Sequence, residues 1–390
     1  MHEPDLTVTA DDLAPTVRAV NELTARWCSQ FDDDDRVVSG AGVWPLLVLI
    51  ASAADESARV ELAAALGCPA DSAREDAFAL LDTLRAGSST STAVGAWTHG
   101  DVPLNPDWVS RLPAGVVEKL TGQDALDKWA TNGTGGLIDR FPLDIDDDTR
   151  LILASVVAAK TQWRDPFEWS SRGCDPFAGD AEPKWLDRYT DDPSVVAVLD
   201  DSVTRVVVEG TDDLDVHLLL GDQTPGDVLT TGLSELSGGT RVQPAIEFTG
   251  RAPGLTVRTI ESDKPGDRLK LELPAFSIDS HHDLLSHRDL FGLHAVTDPE
   301  NSHLPHLSPA PLFVAKGAQD VIARFSPEGF ETAAATAFAL TPTGAFPLDK
   351  HQIKLVSVSF DRPFGFLAVH RPTRLAVVAG WVSSPFNRPG

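Results

Sequence analysis

The sequence predicts an α+β chain folded as one domain, and three observations carry that prediction. Segments with helical spacing cluster in the first seventy residues, at 11–31, 42–54 and 56–67, whereas short β-branched or apolar runs bounded by turn residues dominate the rest. No internal repeat, low-complexity linker or break in composition divides the 390 residues. Finally, 42% hydrophobic residues are enough for one large core.

The helices come first. Segments 42–54 and 56–67 both show helical spacing, and 56–65 is rich in strong helix formers. The strands follow at 92–97, 151–159, 203–209, 216–220, 269–273, 353–360, 366–370 and 375–382. The acidic runs 32–35 and 146–148 are too short for tails and are expected in solvated loops.

A formal net charge of −26 argues against nucleic acid or an anionic membrane as partner, since binding phosphate requires clustered Lys and Arg, and no such cluster occurs. The same charge could steer a basic protein toward this one, or serve solubility alone. Cys28, Cys68 and Cys174 are odd in number and widely separated, which suggests free thiols rather than a disulfide framework or a zinc site. The first residues lack the basic and apolar parts of a secretory signal, and the longest apolar stretch, 43–54, is too short to span a bilayer, so a soluble cytoplasmic chain is expected.

Enzyme motifs are missing. There is no Gly-x-Ser-x-Gly elbow, His-Glu-x-x-His pair, phosphate loop or dinucleotide fingerprint. A Ser-His-Asp triad cannot be read from sequence, because its members meet only in the fold. Six of the eleven histidines fall between His281 and His306, and Asp283 and His287 could share a helix face as a metal pair would. No further ligand stands at a characteristic spacing, so no metal or cofactor is expected and surface imidazoles are favoured.

The segment that organises the functional reading is 326–341, a run of small side chains after Gly329 that ends at Pro342. It admits two conformations. Ser326 and Pro327 could cap an alanine-rich helix. Alternatively, with period two, Phe330, Thr332, Ala334, Thr336, Phe338 and Leu340 share one face of a strand, and such small residues could slip into an existing sheet.

The flanks decide for the strand. Segment 360–369, with Phe360-Asp361-Arg362-Pro363-Phe364, followed by 371–373 and the run 375–382 before Ser383-Ser384-Pro385, resembles the C-terminal signature of the serpin family. Segment 151–167, with Trp163, looks like that family's central-sheet strand, and 126–141 like the helix lying across the sheet. Segment 38–67 is similar to its N-terminal helices, and 271–276 and 290–293 match two further landmarks. The likeness covers residues 11–386 in family order and points to a bacterial-type member.

The resemblance implies a serpin fold, with about three β-sheets, a large central sheet, eight or nine helices and an exposed reactive loop. It implies one domain over 1–390, with 1–10 as a tail and 327–352 as the loop. It also implies that the chain is a monomeric suicide inhibitor of a serine protease, not an enzyme, and extracellular by family analogy. The loop hinge would be Glu328, Gly329, Phe330, Glu331, Thr332, Ala333, Ala334, Ala335, Thr336 and Ala337, and the sheet would open near Ser155 and Trp163. Counting from the hinge glycine puts the reactive bond between Thr343 and Gly344 and suits an elastase-like or subtilisin-like protease. Counting back from Pro363 lands near 349–352, where Lys350 would suit a trypsin-like protease, and Phe346 is an intermediate candidate for a chymotrypsin-like one. The hinge count is preferred, since an inserted strand must fit a sheet of fixed length while extra loop residues cost little.

The chain departs from the family pattern at four places. Phe330 replaces a small residue, and overpacking a formed sheet at roughly 1–3 kcal/mol would slow insertion. Pro327 and Glu328 stand in place of an acidic pair. Asp320 replaces a lysine, which implies the loss of a salt bridge near the top of its strand. Ser155 replaces an asparagine, which implies a weaker gate. A non-inhibitory serpin-fold binding or scaffold protein, cleaved as a plain substrate, is therefore the alternative.

Overall fold

The computed structural model describes residues 10–136, 138–141, 143–145, 151–170, 184–301, 303–330 and 350–383. Among them are eight α-helices and three layers of sheet. Helix Ala14–Cys28 and helix Gly40–Ala53 begin the fold. The second starts at Ser39, whose side chain accepts from the Gly42 amide, and 13 of its 14 residues are buried, as its unbroken apolar sequence requires. Helix Glu56–Leu66 begins where the Asp55 carboxylate accepts from the Ala58 amide and ends at Gly67, whose φ of 71° suits glycine.

The deepest sheet has seven strands, ordered Arg36–Val38, Leu375–Val382, Phe364–His370, Leu214–Gly221, Val203–Glu209, Val196–Leu199 and Val242–Pro244. The hairpin made by Phe364–His370 and Leu375–Val382 is buried along its whole length, which is why both strands read as continuous apolar runs instead of alternating ones. A second sheet has five strands, in which His351–Ser359 lies between Leu255–Ser262 and Arg268–Pro274.

The third sheet is divided. Strands Val117–Lys119, Thr90–Thr98 and Leu151–Ala159 pair on one side, and Phe276–Asp283 pairs with Ala318–Phe325 on the other. Leu151–Ala159 continues past Lys160 into the short strand Thr161–Gln162, so the two sets are halves of one sheet. They are joined through Gly329–Phe330, which pairs with Thr161–Gln162 on one flank and Phe325 on the other. Below that junction, among the described residues, no ladder links Leu151–Ala159 to Ala318–Phe325.

Helix Gln123–Gly133 lies across this sheet, as expected for 126–141, though it starts three residues earlier and stops at Gly133. Its Leu126 and Ala130 pack on Ile152, Ala154 and Val156. These even-numbered residues therefore face the helix, and the odd-numbered ones face the main core.

The helix face that Asp283 and His287 could have shared does not form. Residues 281–283 end the strand Phe276–Asp283, and Leu284–His287 forms a 3-10 turn, with the Asp283 carboxylate accepting from the Leu285 amide. Alternating burial along the strand overrode the helical spacing of Asp283 and His287, so the two do not share a helix face.

Candidate functional site: a divided sheet and the head of the loop

The hinge begins in a tight turn at the head of the seam. The Ser326 hydroxyl receives the Glu328 and Gly329 amides at 3.3 and 3.2 Å, and the Ser326 amide donates to the Gly329 carbonyl at 2.9 Å. Trp163 closes over it: its amide donates to the Glu328 carbonyl at 3.0 Å and its indole Nε1 to the Ser326 carbonyl at 2.9 Å. The Phe167 amide donates to the Pro327 carbonyl at 2.8 Å. Trp163, expected near the opening of the sheet, clamps the loop's first turn.

Phe330 corrects one expectation. It is not a side chain waiting outside a closed sheet: it is fully buried, with its ring 6.1 Å from that of Phe366. Phe276, Phe325, Phe364 and Trp163 fill the surrounding core. A benzyl group here completes the packing, so the overpacking expected of it does not occur. The sequence could not show this, because the space around Phe330 is lined by residues distant in the chain. Of the expected loop 327–352, residues 327–330 belong to this turn and strand, and His351 opens the strand His351–Ser359. Glu331, Thr332, Ala333, Ala334, Ala335, Thr336 and Ala337, along with Thr343, Gly344 and Phe346, lie outside the described residues. Lys350 is exposed, with its Nζ 3.1 Å from Glu261 Oε2.

Lower down, the first turn of helix Gly40–Ala53 spans the seam. Gln319, on one half, accepts the Ser39 amide at 3.0 Å and donates to the Ser39 carbonyl at 2.9 Å. Ser155, on the other half, donates its hydroxyl to the Gly42 carbonyl. The serine expected to weaken the gate thus reaches a partner despite being short, because Gly42 lets the helix come close: a Cβ there would lie 2.8 Å from Gln319 Nε2. Ser39 also donates to the Val377 carbonyl at 2.7 Å, which ties the clasp to the buried hairpin. Gln319 and Gly42 were missed by sequence reasoning, and no local pattern marks them. Asp320 lies five residues before Phe325, away from the strand's top, and pairs with His281 at 2.6 Å.

Two cavities follow the seam. One of about 20 Å3 lies between Ser155, Val157, Gln319 and Val321. Another, of about 60 Å3, is apolar and lies under the lower end, lined by Leu47, Ile50, Leu151, Leu153, Ala315 and Gly317 among others.

The remaining candidate chemistry is structural. Ser57, His303 and Asp55 meet, but His303 Nδ1 contacts both Asp55 Oδ2, at 2.7 Å, and Ser57 Oγ, at 3.4 Å. A relay would need the two oxygens on opposite ring nitrogens, so this trio caps helix Glu56–Leu66. No group of three metal-binding side chains occurs among the described residues. Burial pushes the Cys28 thiol well above its ordinary pKa, which suppresses the reactive thiolate. No helix among the described residues is long and apolar enough to cross a membrane.

The sequence model of the family described as serpin, serine protease inhibitor, matches residues 18–185 and 252–385. The chain belongs to the serpin family. Among its relatives, alaserpin of Manduca sexta is 26% identical over 356 residues, covering 85% of this chain and 83% of its own length. Plasminogen activator inhibitor 2 of Homo sapiens is 24% identical, covering 67% of this serpin and 60% of its own length. Serine proteinase inhibitor 1 of myxoma virus is 23% identical, with 74% of each covered. The fold is similar to that of tengpin, a thermophilic serpin in its native state, with a TM-score of 0.70 at 15% identity over 98% of this chain and 96% of tengpin. Thyroxine-binding globulin in complex with thyroxine superposes with a TM-score of 0.69 at 15% identity, covering 95% and 99%.

Proposed function

We propose that this serpin inhibits a serine protease as a suicide substrate, with its loop cut between Thr343 and Gly344 and drawn into the central sheet. The protease hydroxyl would attack the Thr343 carbonyl and expel the Gly344 amine, leaving an ester. Insertion of the freed strand would then distort the captured enzyme before water reaches that ester. The observation that supports this most is the open seam between Leu151–Ala159 and Ala318–Phe325, with Gly329–Phe330 already at its head. A strand with two pairing partners waiting gains a ladder on each flank, and with them the burial of its apolar face.

The preferred cut is favoured by the position of Lys350. That residue is next to His351–Ser359, which is paired on both flanks, so a cut there would give the protease little free chain to hold. The bait Leu340-Thr341-Pro342-Thr343 suits an elastase-like or subtilisin-like enzyme.

Mixing with such a protease should yield a covalent complex that survives boiling in detergent. Clean cleavage without that complex would favour the non-inhibitory binding protein instead, in which the buried Phe330 is only an anchor for the loop.

A further inference from the structure

A guanidinium occupies a core position in the five-stranded sheet. Strand Trp185–Thr190 pairs with Arg268–Pro274, and its inward positions, Leu186 and Arg188, stand directly against Leu273 and Leu271. The three leucines are fully buried, and Arg188 is only 7% exposed. Alternation along this face asks for an apolar side chain, and a charge placed there is costly to desolvate. Burial pulls the Arg188 pKa down to about 10, against the opposing pull of Asp165 and Glu209, so the group stays cationic at neutral pH. Among the described residues, its Nε is shut off from solvent without a hydrogen-bond partner.

The contacts of this side chain run to one place. Arg188 Nη1 donates to the Asp165 carbonyl at 3.1 Å, and the guanidinium carbon lies 4.5 Å from the centre of the Phe167 ring, a cation held over an aromatic face. Asp165 and Phe167 belong to the turn whose Trp163 and Phe167 amides hold the Glu328 and Pro327 carbonyls. The Phe167 ring also meets those of Phe325, at 5.5 Å, and Trp163, at 6.4 Å. Arg188 therefore lies behind the clamp on the loop's first turn. Its own strand is joined through Arg268–Pro274 to His351–Ser359, the strand that begins where the loop returns. One side chain thus connects the sheet that receives the end of the loop with the turn that grips its beginning.

We propose that Arg188 is a positioning residue for inhibition: it holds the 163–167 turn in place, so that Gly329–Phe330 stays fixed at the head of the seam and insertion starts from an anchored end. This rests on the inhibitory mechanism proposed above and adds a residue to it. An apolar side chain would suit the pocket beside Leu271, but it could neither bond the Asp165 carbonyl nor hold the Phe167 ring by charge.

The test compares Arg188→Met and Arg188→Lys in the full chain. Methionine fits the buried position and removes both the charge and the donor, and replacing a buried charge by a packed apolar group is often neutral or stabilising, so the melting temperature should not fall. Amide hydrogen exchange in the uncut protein should nevertheless quicken at Trp163 and Phe167 by about tenfold or more, the loss expected of a charge-assisted hydrogen bond and a ring contact. Amides of the buried hairpin 364–382 should keep their rates. Arg188→Lys, which keeps a cation over the ring, should restore most of the protection. With elastase, Arg188→Met should raise the ratio of inhibitor cleaved to protease captured above that of the wild type and of Arg188→Lys. Faster exchange confined to the turn, with the raised ratio and the lysine rescue, supports the proposal. Faster exchange throughout with a lower melting temperature would make Arg188 a general support of the fold and overturn it, as would unchanged rates at Trp163 and Phe167 or an unchanged ratio. A wild type that is cleaved without capturing protease sinks the inhibitory reading, and the exchange rates then still decide whether Arg188 holds the turn.

Discussion

The indole of Trp163 donates to the Ser326 carbonyl at 2.9 Å while its ring lies 4.7 Å from that of Phe325, so one side chain joins the first turn of the loop to the strand beside the seam. Trp163→Phe keeps an aromatic ring there and removes the donor. A buried hydrogen bond lost with its acceptor left in place costs about 1–2 kcal/mol. Denaturant unfolding of the intact protein should show that loss, and an unchanged midpoint would mean the clamp contributes nothing.

Phe330→Thr tests the seating of the hinge. Had the residue been overpacked, the shorter side chain would relieve strain. Because the ring fills its site, removing it should instead destabilise the uncut protein by roughly 2–4 kcal/mol through lost burial and a cavity. Thermal unfolding reads the sign directly.

Gly42→Ala addresses the clasp. Alanine is the better helix former by about 1 kcal/mol. Its methyl group, however, meets a Gln319 amide held by two bonds to Ser39, and displacing that amide outweighs the gain. Gly42→Ala should therefore destabilise the wild type and become neutral or favourable beside Gln319→Ala. A double-mutant cycle with coupling below about 0.5 kcal/mol would show that the two positions do not interact.

The pH dependence follows from buried histidines. Burial, helped by Arg205, pushes His217 down to about 3, and burial lowers His282, His287 and His370 as well. The unfolded chain binds protons at these rings below about pH 6.5, whereas the folded chain needs a lower pH, about 3 at His217. The unfolded state thus holds more protons in that window, and stability falls as pH drops from 6.5 toward 3. For His217 the loss at pH 5 is about 2 kcal/mol. His217→Gln should flatten the slope of unfolding free energy between pH 7 and 5 by about that amount.

Much of the architecture was legible because it is written locally. Apolar and β-branched runs bounded by turn residues gave 151–159 and 203–209 to the residue, and helical spacing placed 42–54 and 56–67 within two residues of two helices. What was not legible depends on distant contacts. The place of Phe330 is made by Phe276, Phe325 and Phe366, and Gln319 matters only because Ser39, 280 residues away, lies beside it. Asp283 and His287 misled for the same reason: four residues apart fits a helix, but pairing with Ala318–Phe325 imposed an extended chain.

The hairpin spanning 364–382 has one more implication, for biosynthesis. It receives the Ser39 hydroxyl at Val377, and Asn21 bonds Arg374 and Ala376, so the amino-terminal helices rest on strands translated more than 300 residues later. A nascent chain must keep those apolar helix faces covered by other means until the hairpin has been translated, which makes this protein a natural client for chaperones that hold unfinished polypeptides.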